Sequence, residues 1–585
     1  MTAAQPLPAP EPDLLAPPKL KGGVPLLGHI FPFARNPFQF MKRVSDELGE
    51  IAQFRIFNQR MVLLTGDAAS TLFYRSSDDV LDQSAAYKLM TPIFGEGIVF
   101  DAPNERKNQQ LKMLMPSLRA EAMRHHSDKI VQEVEDLAQR WGEQGEVDLV
   151  AEMKRLTINT ASHCLLGREF RYELTDEFAS IYHDLEKGVN ALAYSFPNLP
   201  IPAFRARDRA RVRLHQLVSE IVKKRESQAH KPNDMFQSLI DTHYEDGSKL
   251  TTDEITGILI AAIFAGHHTS SGTAAWVLLE LLKHPHHLRE VRNELDQLFG
   301  SDGVVSFQTL REIPHLENVL KEVLRLHPPL IVLMRQVVEP IRFKGYRIEA
   351  GDMVWASPPV THRMSQLFPN PEVFDPTRYE GDHAADKNLM AWQPFGGGKH
   401  KCAGNAFALF QIKAIFSVLL RKYDFELVNR PDTYVDDYGE MIVQPKSPCM
   451  VRYKRRLPNS FASKFGTHAS AEPVAAECPM HARSAKIPVT AVPDAKPASP
   501  ENEVQGIRTF SVRVDRQLCQ GHAICMGEAP ELFRVDQNGY NHILQAHLDS
   551  EQLQKALNAA KYCPNQAISI HEDVRKENPQ CENTE

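Results

Sequence analysis

Phe395-Gly396-Gly397-Gly398-Lys399-His400-Lys401-Cys402-Ala403-Gly404 sets one thiol behind a run of glycines, with Phe395, Gly398, Cys402 and Gly404 in the frame F-x-x-G-x-x-x-C-x-G. Residue frequencies over the 585 positions give about 0.001 chance occurrences, so the frame is specific. Glycines let backbone approach a flat ligand, and the helical pattern Asn405 to Leu420 brings N-terminal amides to the thiol, where they stabilise a thiolate. A cysteine-ligated haem iron needs this arrangement. The plainer alternative is a buried structural cysteine after a glycine turn.

Two further groups bear on that choice. Glu322 and Arg325 form E-x-x-R in the helical run Leu316 to Leu326, on one helix face, and Arg378 stands 24 residues before Cys402, where it can complete a Glu–Arg–Arg network beneath the loop. Thr251-x-x-Glu254 is a capping box opening a helical pattern to about Lys283, or ~48 Å at 1.5 Å per residue. Its middle, Gly266-His267-His268-Thr269-Ser270-Ser271-Gly272-Thr273, collects poor helix formers between apolar flanks, which predicts a distorted helix with room for dioxygen and water. A helix contact through small residues is the bland alternative.

The elements that must position these groups fall into blocks. A Pro-rich leader spans 1–20, a helix-dense region 21–455 carries short β pieces such as Ile51 to Ile56, and 456–505 is an Ala/Pro-rich tether. In 506–585, Phe510, Val512 and Val514 have strand period, Asn538-Gly539 is a turn signal, Asp549 with Gln552 caps a helix through Ala560, and Ile568 with Ile570 resumes a strand. The expectation is a mainly α domain with small β-sheets, followed by a small α+β domain.

The order and spacing of the three groups resemble the cytochrome P-450 superfamily over roughly 21–455, and the resemblance makes Cys402 the axial ligand of haem b. Ala265-Gly266-His267-His268-Thr269-Ser270 is similar to the oxygen-activating helix of the sterol 14α-demethylases, and Tyr87 to Asp101 (YKLMTPIFGEGIVFD) resembles their substrate-loop signature. The resemblance implies that His268 and Thr269 deliver protons, with an acid from 184–186 orienting His268. It also implies that Gln83, Tyr87, Arg335 and His400 meet the haem propionates, and that Tyr87, Leu89, Met90, Phe94, Ala265, His268, Leu330 and Met441 line the pocket. Asn108, beside Lys107, aligns with the family's propionate lysine.

Cys519-x-x-His522-x-x-Cys525 with Cys563-Pro564 resembles a single-cluster bacterial ferredoxin in which His522 replaces the middle cysteine. Three cysteines favour a 3Fe-4S cluster; a 4Fe-4S cluster with His522 or an exogenous ligand, and a zinc site, are the alternatives. Cys164, Cys449, Cys478 and Cys581 receive no role, with haem sensing at Cys478-Pro479 the one alternative. The implied activity is oxidative removal of the 14α-methyl group of a lanosterol-type sterol with dioxygen. The rivals are hydroxylation of another lipid or foreign compound, and a non-catalytic haem sensor or electron carrier.

Composition agrees. Hydrophobic residues at 42% and charged ones at 24% are those of a globular protein, and 67 basic against 74 acidic residues, without blocks, argue against nucleic-acid binding. Eight irregularly spaced cysteines and no signal-like leader suggest a reducing, cytoplasmic and bacterial setting. The apolar run Ile255 to Ala265 is shorter than the ~20 residues of a membrane span, which leaves peripheral membrane contact for sterol access. No G-x-G-x-x-G occurs, which implies a separate NAD(P)H-dependent ferredoxin reductase. Residues 506–585 carry 8 basic and 11 acidic residues, and that acidity is expected to meet Lys399 and Lys401.

Overall fold

Thr251 and Glu254 close the predicted capping box reciprocally and start one helix, Thr252–Lys283. In this computed structural model, which describes residues 14–189, 193, 196–300, 303–439, 442–456, 508–516, 518–536, 539–563 and 565–574, that helix is the axis of the large domain. Its flanks, Ile255 to Ile260 and Ser270 to Leu281, are buried throughout, as a helix apolar on every face requires. The helices Ala120–Trp141, Leu149–Ala161, Pro202–Glu226, Pro314–Leu326 and Asn405–Lys422 contribute to the same core.

The helix does not break where the sequence collects poor formers. It is continuous through Gly266 to Thr273, where Thr269 and Thr273 donate back to the carbonyls of Ala265 and Thr269 at 2.7 Å and Ser271 to that of His268 at 3.2 Å. Local back-bonding satisfies the three hydroxyls inside the helix. The expected helix to Lys283 is therefore found in one piece.

A five-stranded sheet flanks the helices, in the order Ile51–Ile56, Gln59–Leu64, Met353–Ala356, Leu333–Val337, Leu81–Asp82. Met61 to Leu64 pair in parallel with Met353 to Ala356, and the other neighbours are antiparallel. The large domain begins before the expected boundary at 20. Leu15 donates its N–H to the Gly345 carbonyl, Leu20 to that of Gln53, and Leu20 is buried, so the second half of the leader edges the sheet. Residues 1–13 lie outside the described residues, as does the expected tether apart from Arg456, which still bonds Lys422 of the large domain.

The small domain pairs Arg508–Val514 with Ile568–Val574 and His547–Leu548, and Phe533–Val535 with Asn541–Ile543. The helix Ser550–Lys561 carries the predicted Asp549–Gln552 box. Asn538 of the predicted turn lies outside the described residues; its neighbour Gly539 has φ +80°. Among the described residues no helix is long and apolar enough to cross a membrane.

Candidate functional site

The Cys402 loop is closed by its own backbone. Cys402 donates its N–H to the Phe395 carbonyl at 2.9 Å and Lys401 to that of Gly398 at 3.2 Å, while Phe395 is half-buried against the main core. Gly398 has φ +62°, and a Cβ there would lie 1.9 Å from the Tyr74 carbonyl oxygen; at Gly397 it would lie 3.0 Å from the Tyr74 ring. At these two positions glycine is required by a close approach to the end of the helix Asp67–Arg75. Gly404 precedes the helix Asn405–Lys422. Burial pushes the Cys402 thiol up, and the Gly404 amide and the Lys401 ammonium pull it down. A thiol so placed becomes a ligand thiolate when a metal cation supplies the missing charge.

The Glu–Arg–Arg network forms as predicted. Arg325 donates from Nε and Nη2 to the two oxygens of Glu322 at 2.8 Å, and Arg378 Nε donates to Glu322 Oε1 at 3.0 Å. Glu322 also accepts from the Asp375 amide and the Tyr379 hydroxyl. His362 carries no signal in the sequence. Its Nδ1 donates to the Arg325 carbonyl and its Nε2 accepts the Gln393 amide at 3.0 Å, so the network is joined to the segment that enters the cysteine loop. Burial first, then Arg325, push this imidazole down to about 3, which keeps it neutral and Nε2 an acceptor.

Of the expected propionate contacts, Arg335 is 1% exposed and donates to the Phe73 carbonyl at 2.7 Å, but its Nε has no partner among the described residues. The Tyr74 hydroxyl beside it is likewise buried and unpartnered. Tyr87 stacks on Phe100 with centroids 4.6 Å apart. Gln83 is half-buried and accepts the Tyr87 amide through its carbonyl. His400 instead bonds the Asp78 carboxylate, which Lys399 also reaches at 3.0 Å and Lys107 approaches at 3.9 Å. Burial raises the Asp78 carboxyl, but His400, Lys399 and Lys107 together hold it well below the usual carboxylate range. The buried cation is Lys107, 1% exposed, while Asn108 is only half-buried. Orphaned donors beside buried cations in excess of Asp78 fit an anionic group such as the carboxylates of haem. Tyr74 and Asp78 carry no spacing signal that would have revealed them.

On the other side, His268 Nε2 is hydrogen-bonded to Glu186, the last residue of the helix Thr175–Glu186, whereas Asp184 pairs with Lys187. His267, whose ring centroid lies 4.6 Å from that of His268, is bonded to Thr157. The middle of the long helix has an open strip, Ala265 and Gly266 with Thr269 one turn on, although its flanks are buried. An aromatic series links the two expected ends of the pocket: Tyr87 on Phe100, Phe100 on Phe94, Phe94 on Phe264, Phe264 on Tyr182, and Tyr182 beside His268. Leu89 and Met90 are buried in the same core. Leu330 is half-buried next to Pro329, whose carbonyl takes the Val443 amide; Met441 lies outside the described residues.

In the small domain burial first, and then the neighbouring cysteines, raise the Cys519 and Cys525 thiols, Cys525 to about 12. Asn541 donates to Cys525 Sγ at 3.1 Å and the Ala567 amide to Cys563 Sγ at 3.3 Å. Among the described residues, the groups whose donor atoms converge within 4.8 Å are Glu186 with His267 and His268, and His286 with His287 and Glu290. The three cysteines stand further apart than one ion allows. Three neighbouring cysteines, with N–H bonds to Cys525 and Cys563, fit an iron–sulfur cluster and weigh against zinc. This cluster loop lies on the haem-ligand loop. Arg311 pairs with Glu528 at 2.7 Å, and Tyr562 donates to Glu312 at 2.7 Å. Lys399 faces Asp78 instead of the small domain, so its expected pairing is corrected; Lys401 feels both Cys563 and Cys402.

A fold of this kind with a cysteine loop before a helix defines a haem-thiolate monooxygenase. The family model for cytochrome P-450 matches residues 17–453, and the chain belongs to that family. The model for a 4Fe-4S single cluster domain matches 512–570. A sterol 14alpha-demethylase of Mycolicibacterium vanbaalenii is 47% identical over 445 residues, covering 75% of this chain and 98% of its own. The sterol 14-demethylase of Arabidopsis thaliana is 38% identical over 75% of this chain and 91% of its own, and the lanosterol 14-alpha demethylase of Homo sapiens 35% over 75% and 87%. A cyanobacterial cytochrome P-450 bound to retinoic acid superposes with TM-score 0.68 at 24% identity, covering 76% of this chain and 100% of its own, which speaks for the fold.

Proposed function

We propose that the chain is a sterol 14α-demethylase that removes the 14α-methyl group of a lanosterol-type sterol as formic acid in three successive oxidations, leaving a ring double bond. Haem, held by Cys402 and by the Arg335, Tyr74 and Tyr87 side, supplies the iron at which dioxygen is activated. The observation that carries the reading is the His268–Glu186 pair at one end of an aromatic series whose other end lies in the 87–101 segment. An extended apolar wall suits a rigid ring system, and a carboxylate-oriented imidazole beside the Thr269 hydroxyl can move protons inward from solvent. Optical titration of purified protein with lanosterol, followed by product analysis, tests it; absence of both a spin shift and a 14-demethylated product sinks it.

Glu186→Gln is expected to lower kcat on the order of 10²-fold, since positioned proton transfer contributes ~10²–10⁴-fold, while sterol titration stays at the parental midpoint. Unchanged kcat would separate Glu186 from proton delivery.

Leu89 is 2% exposed in the pocket core, so Leu89→Phe changes shape without adding polarity. A preference for 4,4-dimethyl sterols is expected in the parent chain and a partial reversal in the variant, within a ceiling of ~10–200-fold for a methyl-sized difference. Equal kcat/KM for mono- and dimethyl sterols in the parent chain would remove the basis for this.

The small domain, we propose, is the haem domain's electron donor, carrying a 3Fe-4S cluster on Cys519, Cys525 and Cys563. An external NAD(P)H-dependent ferredoxin reductase supplies it in a reducing, cytoplasmic setting, which accords with six described cysteines all unpaired. The electron paramagnetic resonance signal of the oxidised chain distinguishes three irons from four.

A further inference from the structure

The geometry points to a two-point clamp in which Gln520 and His522 of the cluster loop grip the backbone on either side of Cys402, with His522 serving as a docking residue and not as an iron ligand. This rests on the reading of the small domain as the electron donor. Gln520 Nε2 donates to the Lys401 carbonyl at 2.6 Å, and His522 Nε2 donates to the Ala403 carbonyl at 3.1 Å. Those two carbonyls belong to the residues immediately before and after Cys402. His522 also accepts the Ala120 amide through its own carbonyl at 3.2 Å, tying the loop to the start of the helix Ala120–Trp141. Behind the clamp Asn565, next but one to Cys563, bonds Asn405 at 2.7 Å and also holds Gln520 Oε1 and the Leu518 carbonyl.

The centre of this contact is buried: Asn405 and Asn565 are 1% exposed and His522 is 5% exposed. Its rim is charged and aromatic, with Arg311 paired to Glu528 and lying 3.5 Å over the Tyr562 ring, Arg119 donating to the Asp536 carbonyl and Lys112 to the Tyr540 hydroxyl. Hydrogen bonds at a buried centre, rimmed by an ion pair and charged donors, fix register more than they add affinity.

The residue type at position 522 follows from that geometry. A cysteine there is a weak donor and, as a thiolate, would turn inward to a fourth iron. An imidazole is long enough to leave the cluster loop and offers a strong N–H. Its burial keeps it neutral, so it adds no charge beside the thiolate. The clamp makes a short bonded connection: Cys519 is joined covalently to Gln520, and Gln520 is hydrogen-bonded to the residue before Cys402. Along it one electron moves per transfer, oxidising the cluster that the external reductase has reduced and reducing ferric haem.

The test uses the full chain in four variants, Gln520→Ala, His522→Ala, His522→Gln and Cys525→Ala. The readouts are the cluster's electron paramagnetic resonance signal and the anaerobic rate at which ferredoxin reductase with NADPH forms the ferrous carbonyl complex. Gln520→Ala and His522→Ala are expected to keep the parental signal and to slow haem reduction about tenfold each, the loss of one buried hydrogen bond. His522→Gln, which retains an N–H donor, should recover much of the rate. If His522→Ala loses its cluster through misfolding, a His522→Gln chain with parental signal and near-parental rate still upholds the inference. A signal altered in His522→Gln makes His522 a ligand and overturns it, as does a parental rate in both alanine variants. Cys525→Ala separates the two readings: if that chain, lacking its cluster, is reduced at the parental rate, the small domain is not the donor at all. If it is not reduced while the alanine variants are unaffected, only the clamp falls.

Discussion

Cys402→Ala is expected to abolish sterol turnover and to remove the red shift that a thiolate ligand gives the ferrous carbonyl complex, while haem still enters the protein. The two effects separate because the site has two independent parts. Arg335, Tyr74 and Lys107 stand on elements remote in sequence from the cysteine loop, and their cationic and orphaned donors remain in the variant. Only the metal ligand is lost. Of the described large-domain thiols, Cys164 and Cys449 are poor substitutes, since both are buried and burial pushes them up to about 12. Cys164→Ala and Cys449→Ala, used as controls, should leave the carbonyl spectrum as it is. A Cys402→Ala protein that keeps the red-shifted band would overturn the ligand assignment and with it the reading of the glycine frame.

That frame was legible because a short contiguous pattern carries it, and the same holds for E-x-x-R and for both capping boxes. Their geometry is set by helix and turn periodicity, which sequence encodes directly. What could not be read are contacts made by tertiary approach. Tyr74 and Asp78 reach the cofactor side from a helix end and the loop after it, and His362 meets Gln393 across 31 positions. No spacing rule links such residues. The glycines show an intermediate case: the pattern announces a close approach, and only the fold reveals that the Tyr74 carbonyl is one group so approached. Thr269, Ser271 and Thr273 are poor helix formers in isolation, yet the packed flanks carry the long helix through them, and their hydroxyls bond back to the preceding turn.

Charge arithmetic had the same limit. Counting acidic residues in the small domain pointed to Lys399 and Lys401, whereas Lys399 is held by Asp78 and the ion pair across the interface is Arg311 with Glu528. Net charge says that two surfaces attract. Which atoms meet is decided by the backbone carbonyls around Cys402 and by the amide and imidazole side chains that reach them.

Glu322→Ala should be the most destabilising substitution of those considered, at about 3–5 kcal/mol, the usual loss when one partner of a buried ion pair is removed. The carboxylate and Arg325 are both 0% exposed, and Glu322 accepts five hydrogen bonds: two from Arg325 and one each from Arg378, Tyr379 and the Asp375 amide. Without it the Arg325 guanidinium keeps only carbonyl acceptors, at His362, Pro371 and Val373, and is left as an uncompensated charge in the core. Glu322→Gln keeps the shape but not the charge and should fall close to the alanine variant. Arg378→Ala should cost clearly less, because its side chain sits at the edge of the network and Glu322 retains the bidentate partner. The disturbance travels by a defined route: Arg325 holds His362 through its carbonyl, His362 holds the Gln393 amide, and Gln393 precedes the loop whose Phe395 carbonyl takes the Cys402 amide. Purified Glu322→Ala protein should therefore show a low haem-to-protein ratio and a lowered melting temperature together, with Arg378→Ala intermediate in both. A Glu322→Ala chain that binds haem stoichiometrically and melts with the parent would mean that the ion network neither carries the loop nor stabilises the fold beneath it.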